Sequence, residues 1–156
     1  MLLDMLIMSL NILPSSGRFE GRIHVLAVRI YYEDTDMSGI VYHANYLKYF
    51  ERGRSDFLRS VGIHHSDLLK RDPPLAFAIT AIDSKFKMAA RIDDCLVVRT
   101  CFDTLKGVRL GISQSIWRGE ELIATADVAA VCIDLQGKPR RPFPELGVQL
   151  RDYLIA

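Results

Sequence analysis

The sequence carries no surplus of either charge. Its 20 Lys and Arg stand against 19 Asp and Glu, so it lacks the basic excess that a general nucleic-acid binder shows on one face. It is poor in cysteine. Cys95, Cys101 and Cys132 are odd in number, have no CxxC spacing and no histidine partner pattern. That excludes a disulfide framework or a zinc knuckle and reads as three buried, reduced thiols of a cytoplasmic protein. His24, His43, His64 and His65 likewise lack metal-ligand spacing, and the His64-His65 pair reads as a solvated loop. GxSxG, a glycine-rich phosphate loop, HExxH and a Ser-His-Asp spacing are all missing. There is one tryptophan, Trp117, which with the six tyrosines fits packing better than a base-stacking platform.

What remains is an ordinary globular mixture, 49% hydrophobic and 25% charged over 156 residues, enough for one domain with a sizeable core. No internal repeat or low-complexity segment interrupts it. The opening "MLLDMLIMSLNIL" is apolar, but no Lys or Arg precedes it, Asp4 breaks it, and it is too short to span a bilayer. Residues 1–21, including the linker-like "PSSGRFEGR", are expected to be an appendage: a start placed too early, since Met5 and Met8 could also initiate, or a weak membrane-surface segment. The domain is expected over 22–143, with 144–156 as a C-terminal helix or tail.

Within that domain "IHVLAVRIYY" has strand character. "NYLKYFERGRSDFLRSVG" then shows helical period, with Tyr46, Tyr49, Phe50, Gly53, Phe57 and Val61 on one face. Asn45 suits the N-cap and Gly62 the residue past the C-cap. Gly53 within the apolar face suggests a close approach to another element. "SDLL" reads as a short capped turn. The remainder is strand-like: "LAFAITAIDSKFK", a turn at "MAARIDD", then "CLVVRTCFDTL", "VRLGISQSIW" and "LIATADVAAVCIDL" joined by tight turns as an antiparallel meander. This order predicts an α+β domain in which one amphipathic helix covers a curved antiparallel sheet.

The stretch "YYEDTDMSGIVYHANYLKYFERGR" concentrates the candidate chemistry. Asp36 falls between a strand end and a helix start, with Gly39 freeing the turn. A carboxylate there lies near the unpaired N–H groups of a helix's first turn, an arrangement suited to acyl transfer or, alternatively, to plain capping of the helix dipole. Glu51 reads as a border residue paired with Arg54 at i, i+3, or as a second carboxylate in the same pocket. Tyr42 and His43 precede the cap position, where a histidine could orient a substrate.

The same stretch closely resembles the signature of the 4-hydroxybenzoyl-CoA thioesterase family of hotdog proteins, and more narrowly its Tol–Pal-associated, YbgC-type branch. Strand, "YEDTD", "GIVYH" and "ERGR" follow in that order, and the likeness continues through "AARIDDCLVVRT", "ADVAAVCID" and "KPRR". The resemblance implies a hotdog fold with a long helix wrapped by the sheet. It also implies pairing of chains as homodimers or dimers of dimers, with sites at the dimer interface. It places the family's catalytic aspartate at Asp36 and the backbone N–H that polarises the thioester carbonyl at His43. Glu51 becomes a secondary candidate acid. Coenzyme A enters as part of the substrate, so no separate cofactor and no metal are implied. Tyr42 and Gly39 fall at the substrate, and Lys106 and Arg109, with the "KPRR" loop, are expected at the coenzyme A phosphates. The implied protein is cytoplasmic, with loose attachment to the inner membrane as the variant.

Two functions follow. One is hydrolysis of an acyl-CoA thioester, whose carbonyl is reactive enough to need only a carboxylate and an oxyanion donor. The other is a weakly catalytic module that docks acyl-carrier protein or Tol–Pal envelope partners.

Overall fold

Leu96, Val98, Thr100 and Phe102 alternate with Cys95, Val97, Arg99 and Cys101, so one face of this strand is apolar and must be covered. In the computed structural model, which describes residues 13–155, all four of the first set are buried. Six antiparallel strands form one sheet: β1 (Arg18–Glu20), β2 (Ile23–Arg29), β3 (Ala76–Phe86), β4 (Cys95–Lys106), β5 (Arg109–Arg118) and β6 (Glu121–Ile133). Their spatial order is β1-β2-β4-β5-β6-β3. The meander β4-β5-β6 is the one expected from the short turns. β3 pairs only with β6 among the described strands, and its other side is an open edge.

Helix α1 (His43–Ser60) lies across the concave face and supplies Tyr46, Tyr49, Phe50, Phe57 and Leu58 to the core. Its end is built as expected. Gly62 has a left-handed φ of 84°; its N–H donates to Arg59 O at 3.0 Å, and that of Ile63 donates to Leu58 O at 2.8 Å. These are the paired bonds of a Schellman motif. Val61, expected on the buried face, is only half-buried because the helix has already ended. A Cβ on Gly53 would come within 2.7 Å of Thr100 Oγ1 and 2.8 Å of Val98 Cγ1, so the glycine marks the point of closest helix–sheet approach.

Beside Gly53 the helix buries a guanidinium. Arg54 Nη1 donates to Gln114 Oε1 at 2.8 Å, while Gln114 Nε2 donates to Phe50 O at 2.8 Å and Thr100 Oγ1 at 2.9 Å. The helical period marks apolar positions and is silent on such a group.

Four sequence expectations are corrected. Asn45 is not the N-cap. The helix begins at His43 with Tyr42 as cap, and the buried Asn45 amide donates to Asp34 O at 2.8 Å. Arg18–Glu20, expected as linker, form edge strand β1 because Phe19 packs edge-on to Phe57, centroids 4.9 Å apart. "SDLL" belongs to a short helix, α2 (His65–Lys70). Of the thiols only Cys132 is buried; Cys95 is exposed and Cys101 half-buried, since both face away from the helix. The C-terminal segment forms α3 (Pro144–Arg151), whose Leu146 and Leu150 are fully buried. The apolar run 1–12 lies outside the described residues.

His24, on β2, is fully buried. Its Nε2 lies 3.1 Å from Asp56 Oδ2, and its Nδ1 has no partner. Burial outweighs the attraction of Asp56 and draws its pKa below the usual histidine value.

Two predictions follow from this packing. Gly53→Ala gains about 1 kcal/mol of helix propensity but must overpack Thr100 and Val98, at about 1–3 kcal/mol. The denaturation midpoint should therefore fall. For His24 the folded state prefers the neutral ring, so the unfolded chain binds the proton more readily. Stability is full above the unfolded value, about 6.5, and declines as pH falls below it. Urea midpoints should drop between pH 7.5 and 5.5, and His24→Phe should flatten that slope.

Candidate functional site

Asp34, Asp36 and the start of α1 are tied into one unit. Asp34 is buried; its carboxylate accepts from Tyr31 N at 2.8 Å, and its carbonyl accepts from both Tyr42 N (2.9 Å) and the Asn45 amide. The strand end is thereby locked onto the first turn of α1. Between them Thr35 and Val41 pair across a tight hairpin, in which Gly39 N donates to Asp36 O at 3.0 Å and Asp36 N to Ile40 O at 2.9 Å. Gly39 takes a φ of 78°, the left-handed residue that such a loop requires. Asp at the first position of the turn is the usual choice, because its carboxylate folds back on the backbone two residues on. Here Asp36 Oδ1 accepts from Ser38 N at 2.8 Å and from the Ser38 hydroxyl.

This geometry leaves Asp36 exposed and ionised. The Ser38 hydroxyl, then the Ser38 N–H, hold its carboxyl below the usual carboxylate range, with the nearby His43 ring adding to the effect. His43 is the first helical residue, so its N–H is one of those that a helix leaves without an intrahelical acceptor. Its ring lies against Tyr42 at 4.5 Å, tilted by 55°, and approaches Phe86 of β3 at 6.1 Å. Ile92, from the loop between β3 and β4, lines the depression around Asp36. That loop is pinned by Arg118, which donates to Asp94 Oδ2 at 2.7 Å and to Ala89 O at 3.2 Å. The anion, the free N–H and an apolar rim together can hold and attack a polarised carbonyl.

The other expected residues lie elsewhere within one chain. Glu51 is eight residues along α1 from His43, roughly 12 Å along the helix axis, and lines a different cavity, one of about 90 Å³ between helix and sheet. Its Oε2 accepts from Arg54 Nη2 at 3.0 Å, the i, i+3 pair read from the sequence. Lys106 and Arg109 flank the β4–β5 turn at the far end of the sheet from Asp36. The "KPRR" loop joins them there, since Cys132 N donates to Val108 O and Arg140 N to Cys132 O, both at 2.8–2.9 Å. Arg140 is committed to Asp134, 2.9 Å away, leaving Lys138 and Arg141 as the freer cations of that loop.

Sequence reasoning missed Ser38 and His65. Ser38 was legible as the third residue of an Asp-x-Ser-Gly turn. His65, set down as a loop residue, opens α2; its Nε2 lies 3.2 Å from Ser55 Oγ and its ring edge-on to Phe77 at 6.3 Å. No local pattern announces a contact made between two helices. Among the described residues no group of three or more His, Cys, Asp or Glu is placed to hold a metal ion.

Comparison with known proteins gives one consistent family. A family description, the thioesterase-like superfamily, matches residues 31–149. An acyl-CoA thioesterase YbgC of Haemophilus influenzae is 37% identical over 118 residues, covering 76% of this chain and 86% of the relative. An acyl-CoA thioester hydrolase YbgC of Escherichia coli is 38% identical over 115 residues, covering 72% and 84%. The crystal structure of a probable thioesterase from Bartonella henselae, 40% identical, superposes with a TM-score of 0.76 over 78% of this chain and 99% of the other.

Removing the Ser38 hydroxyl tests the electrostatics directly. In Ser38→Ala the Asp36 carboxyl should titrate at higher pH than in the parent, read by carbon NMR of the carboxyl. The retained Ser38 N–H contact should keep part of the depression.

Proposed function

Because the chain belongs to the thioesterase-like superfamily, we propose that it is an acyl-CoA thioesterase in which Asp36 is the working carboxylate. The observation that carries this reading is the hairpin that holds an ionised Asp36 seven residues before His43, whose ring lies near enough to act on that carboxylate and whose N–H opens α1. In the reaction the thioester oxygen accepts a hydrogen bond from His43 N–H, which gathers charge as the carbonyl becomes tetrahedral. The Asp36 carboxylate attacks the carbonyl carbon or takes a proton from the attacking water. Collapse of the intermediate breaks the C–S bond, and the electron pair leaves with the coenzyme A sulfur, which takes up a proton. On the nucleophilic route water then hydrolyses the acyl–Asp36 anhydride, releasing the acid and restoring the carboxylate. Tyr42 and Gly39 shape the approach, the first by its half-exposed ring and the second by the turn it permits. No metal or separate cofactor has a part in this scheme.

The assembly we propose completes the site. β3 is an open edge with Ile79, Ile82 and Phe86 each 37–47% exposed, and pairing it with a second copy removes that hazard. Antiparallel self-pairing sets the Ala76 end of one β3 beside the Phe86 end of the other. The Phe86 end lies against the His43 ring at the start of α1. The Ala76 end carries the basic turn, since Ala78 and Arg109 both face Val131 across the sheet. A second copy would thus bring Lys106, Arg109 and its "KPRR" loop toward the coenzyme A phosphates at the first copy's aspartate. Two such pairs would make the dimer of dimers.

Free-thiol release from a panel of acyl-CoAs tests the proposal. Asp36→Asn should lower kcat by about two orders of magnitude or more with KM little changed. Glu51→Gln should be milder, and His43→Ala also mild because the donor is backbone. Near-normal turnover in Asp36→Asn with a dead Glu51→Gln would reverse the assignment. A parent protein that binds acyl-carrier protein yet releases no thiol from any acyl-CoA would replace the enzyme with a docking module.

A further inference from the structure

The groove between β2 and the outer flank of α1 is cationic. Arg29 of β2 and Arg52 and Arg59 of α1 line it together with Leu26 and Val28, around a volume of about 510 Å³. Arg52 and Arg59 are seven residues apart, two turns of helix, and so stand on one stripe. All three arginines are exposed, and among the described residues none of them lies in an ion pair. Their other contacts leave the charge in place. Arg29 Nη1 donates to Asp93 O at 3.4 Å, and Arg59 Nη1 lies 3.1 Å from His64 Nδ1. Among the described lining residues the one carboxylate is Asp56. Its Oδ2 is occupied by His24 Nε2 at 3.1 Å and by Gly17 N at 2.7 Å.

Gly17 fixes where the N-terminal segment leaves the fold. Besides its bond to Asp56, its backbone passes so close to β2 that an added Cβ would come within 2.6 Å of His24 Cε1. Pro14 and Ser15 then line the arginine groove itself, and Leu13 beside them is 83% exposed. Residues 1–12, which lead into this point, hold nine Leu, Ile or Met and one charged side chain, Asp4. An apolar run is thus joined to the fold at the edge of a cationic groove.

We propose that this face attaches the protein to an anionic phospholipid surface, with residues 1–12 entering the boundary between headgroups and acyl chains while Arg29, Arg52 and Arg59 meet the lipid phosphates. The two parts need each other. The run is too short to span a bilayer, and a single apolar signal gives only marginal, reversible attachment, which a cationic patch beside it makes stable. Guanidinium groups suit the task because each can hold two phosphate oxygens at once. A second copy of the chain is a poor occupant of the groove, since it would set three arginines against three. The inference concerns where the protein sits and holds whichever reaction Asp36 serves.

The test is sedimentation of the full chain with vesicles of phosphatidylcholine alone or mixed equally with phosphatidylglycerol, at about 0.1 M salt. The parent should partition onto the mixed vesicles and far less onto the neutral ones. Arg52→Gln with Arg59→Gln should weaken partition onto mixed vesicles roughly 25-fold, about fivefold for each cation lost near such a surface. The same pair should leave the neutral vesicles and the circular dichroism spectrum unchanged, which separates lost attachment from lost fold. Leu6→Asp with Ile7→Asp should weaken partition onto both kinds of vesicle. Lys138→Gln with Arg141→Gln, which removes two cations from the far end of the sheet, should change neither. The proposal is overturned if the parent ignores mixed vesicles, partitions equally onto both kinds, or is matched by the arginine pair. An equal loss in the Lys138 and Arg141 pair would also overturn it. So would tight binding of glycerol phosphate at the arginines with no vesicle partition, which would make the groove a soluble-anion site.

Discussion

At Gly53 the helix and β4 come so near that no side chain fits between them, and the rest of the molecule is arranged around that approach. The neighbouring Arg54 is thereby carried into the interior, where an unpaired guanidinium could not stay. Gln114 from β5 and Glu51 from the helix rim pair with it, while Gln114 in turn ties Thr100 of β4 to the backbone of Phe50. The seam of the fold is thus a polar lattice flanked by Phe50 and Phe57. Because the helix cannot slide along the sheet without breaking that lattice, the position of its first turn is fixed as well. His43 and the Asp36 hairpin inherit their placement from Gly53, about three turns away along the helix.

At Asp36 the needs of the turn and those of the proposed chemistry fall on one residue. The turn needs an acid at its first position to close on Ser38, and the closing bonds are the ones that keep the acid ionised. The carboxylate is exposed because the hairpin projects from the sheet, and Met37, Tyr32 and Ile92 line the depression around it. The charge and the free N–H groups of the helix start are therefore set by local hairpin and helix geometry. Everything that would recognise the bulk of a substrate lies further off, at the open edge and the far basic turn.

Much of this was legible in the chain. Alternation along Leu96 to Phe102, the helical face from Tyr46 to Phe57 and the left-handed Gly62 each follow from local rules, so sheet, helix and helix end came out as expected. Gly53 was readable as a close approach because its cost in a helix has no other reason. The failures share one cause. Asn45 looks like a cap by type, yet it is spent on Asp34, and Phe19 draws an apparent linker into the sheet. His65 reaches Ser55 across two elements. In each case the deciding partner is distant in sequence or not fixed by any periodic rule. The spacing alone favoured capping over catalysis at Asp36, and the family signature is what raised Asp36 and the His43 N–H to the leading candidates.

The strand order has a further consequence for how such a chain is made. β3 is complete by Phe86, but its only described neighbour is β6, where Asp83 meets Asp127. A ribosome adding 5–20 residues each second leaves β3 without a partner for on the order of seconds. Throughout that interval α1 has also emerged, with its apolar face bare of the β4–β6 meander that will cover it. The hotdog cannot close from its N-terminus forward. Its wrapping strands arrive last, and the nascent chain must hold an unpaired edge and an uncovered helix in solution until they do. Nascent copies on neighbouring ribosomes would carry the same open edges, so pairing within the chain and pairing with a sister chain would compete while synthesis is still under way.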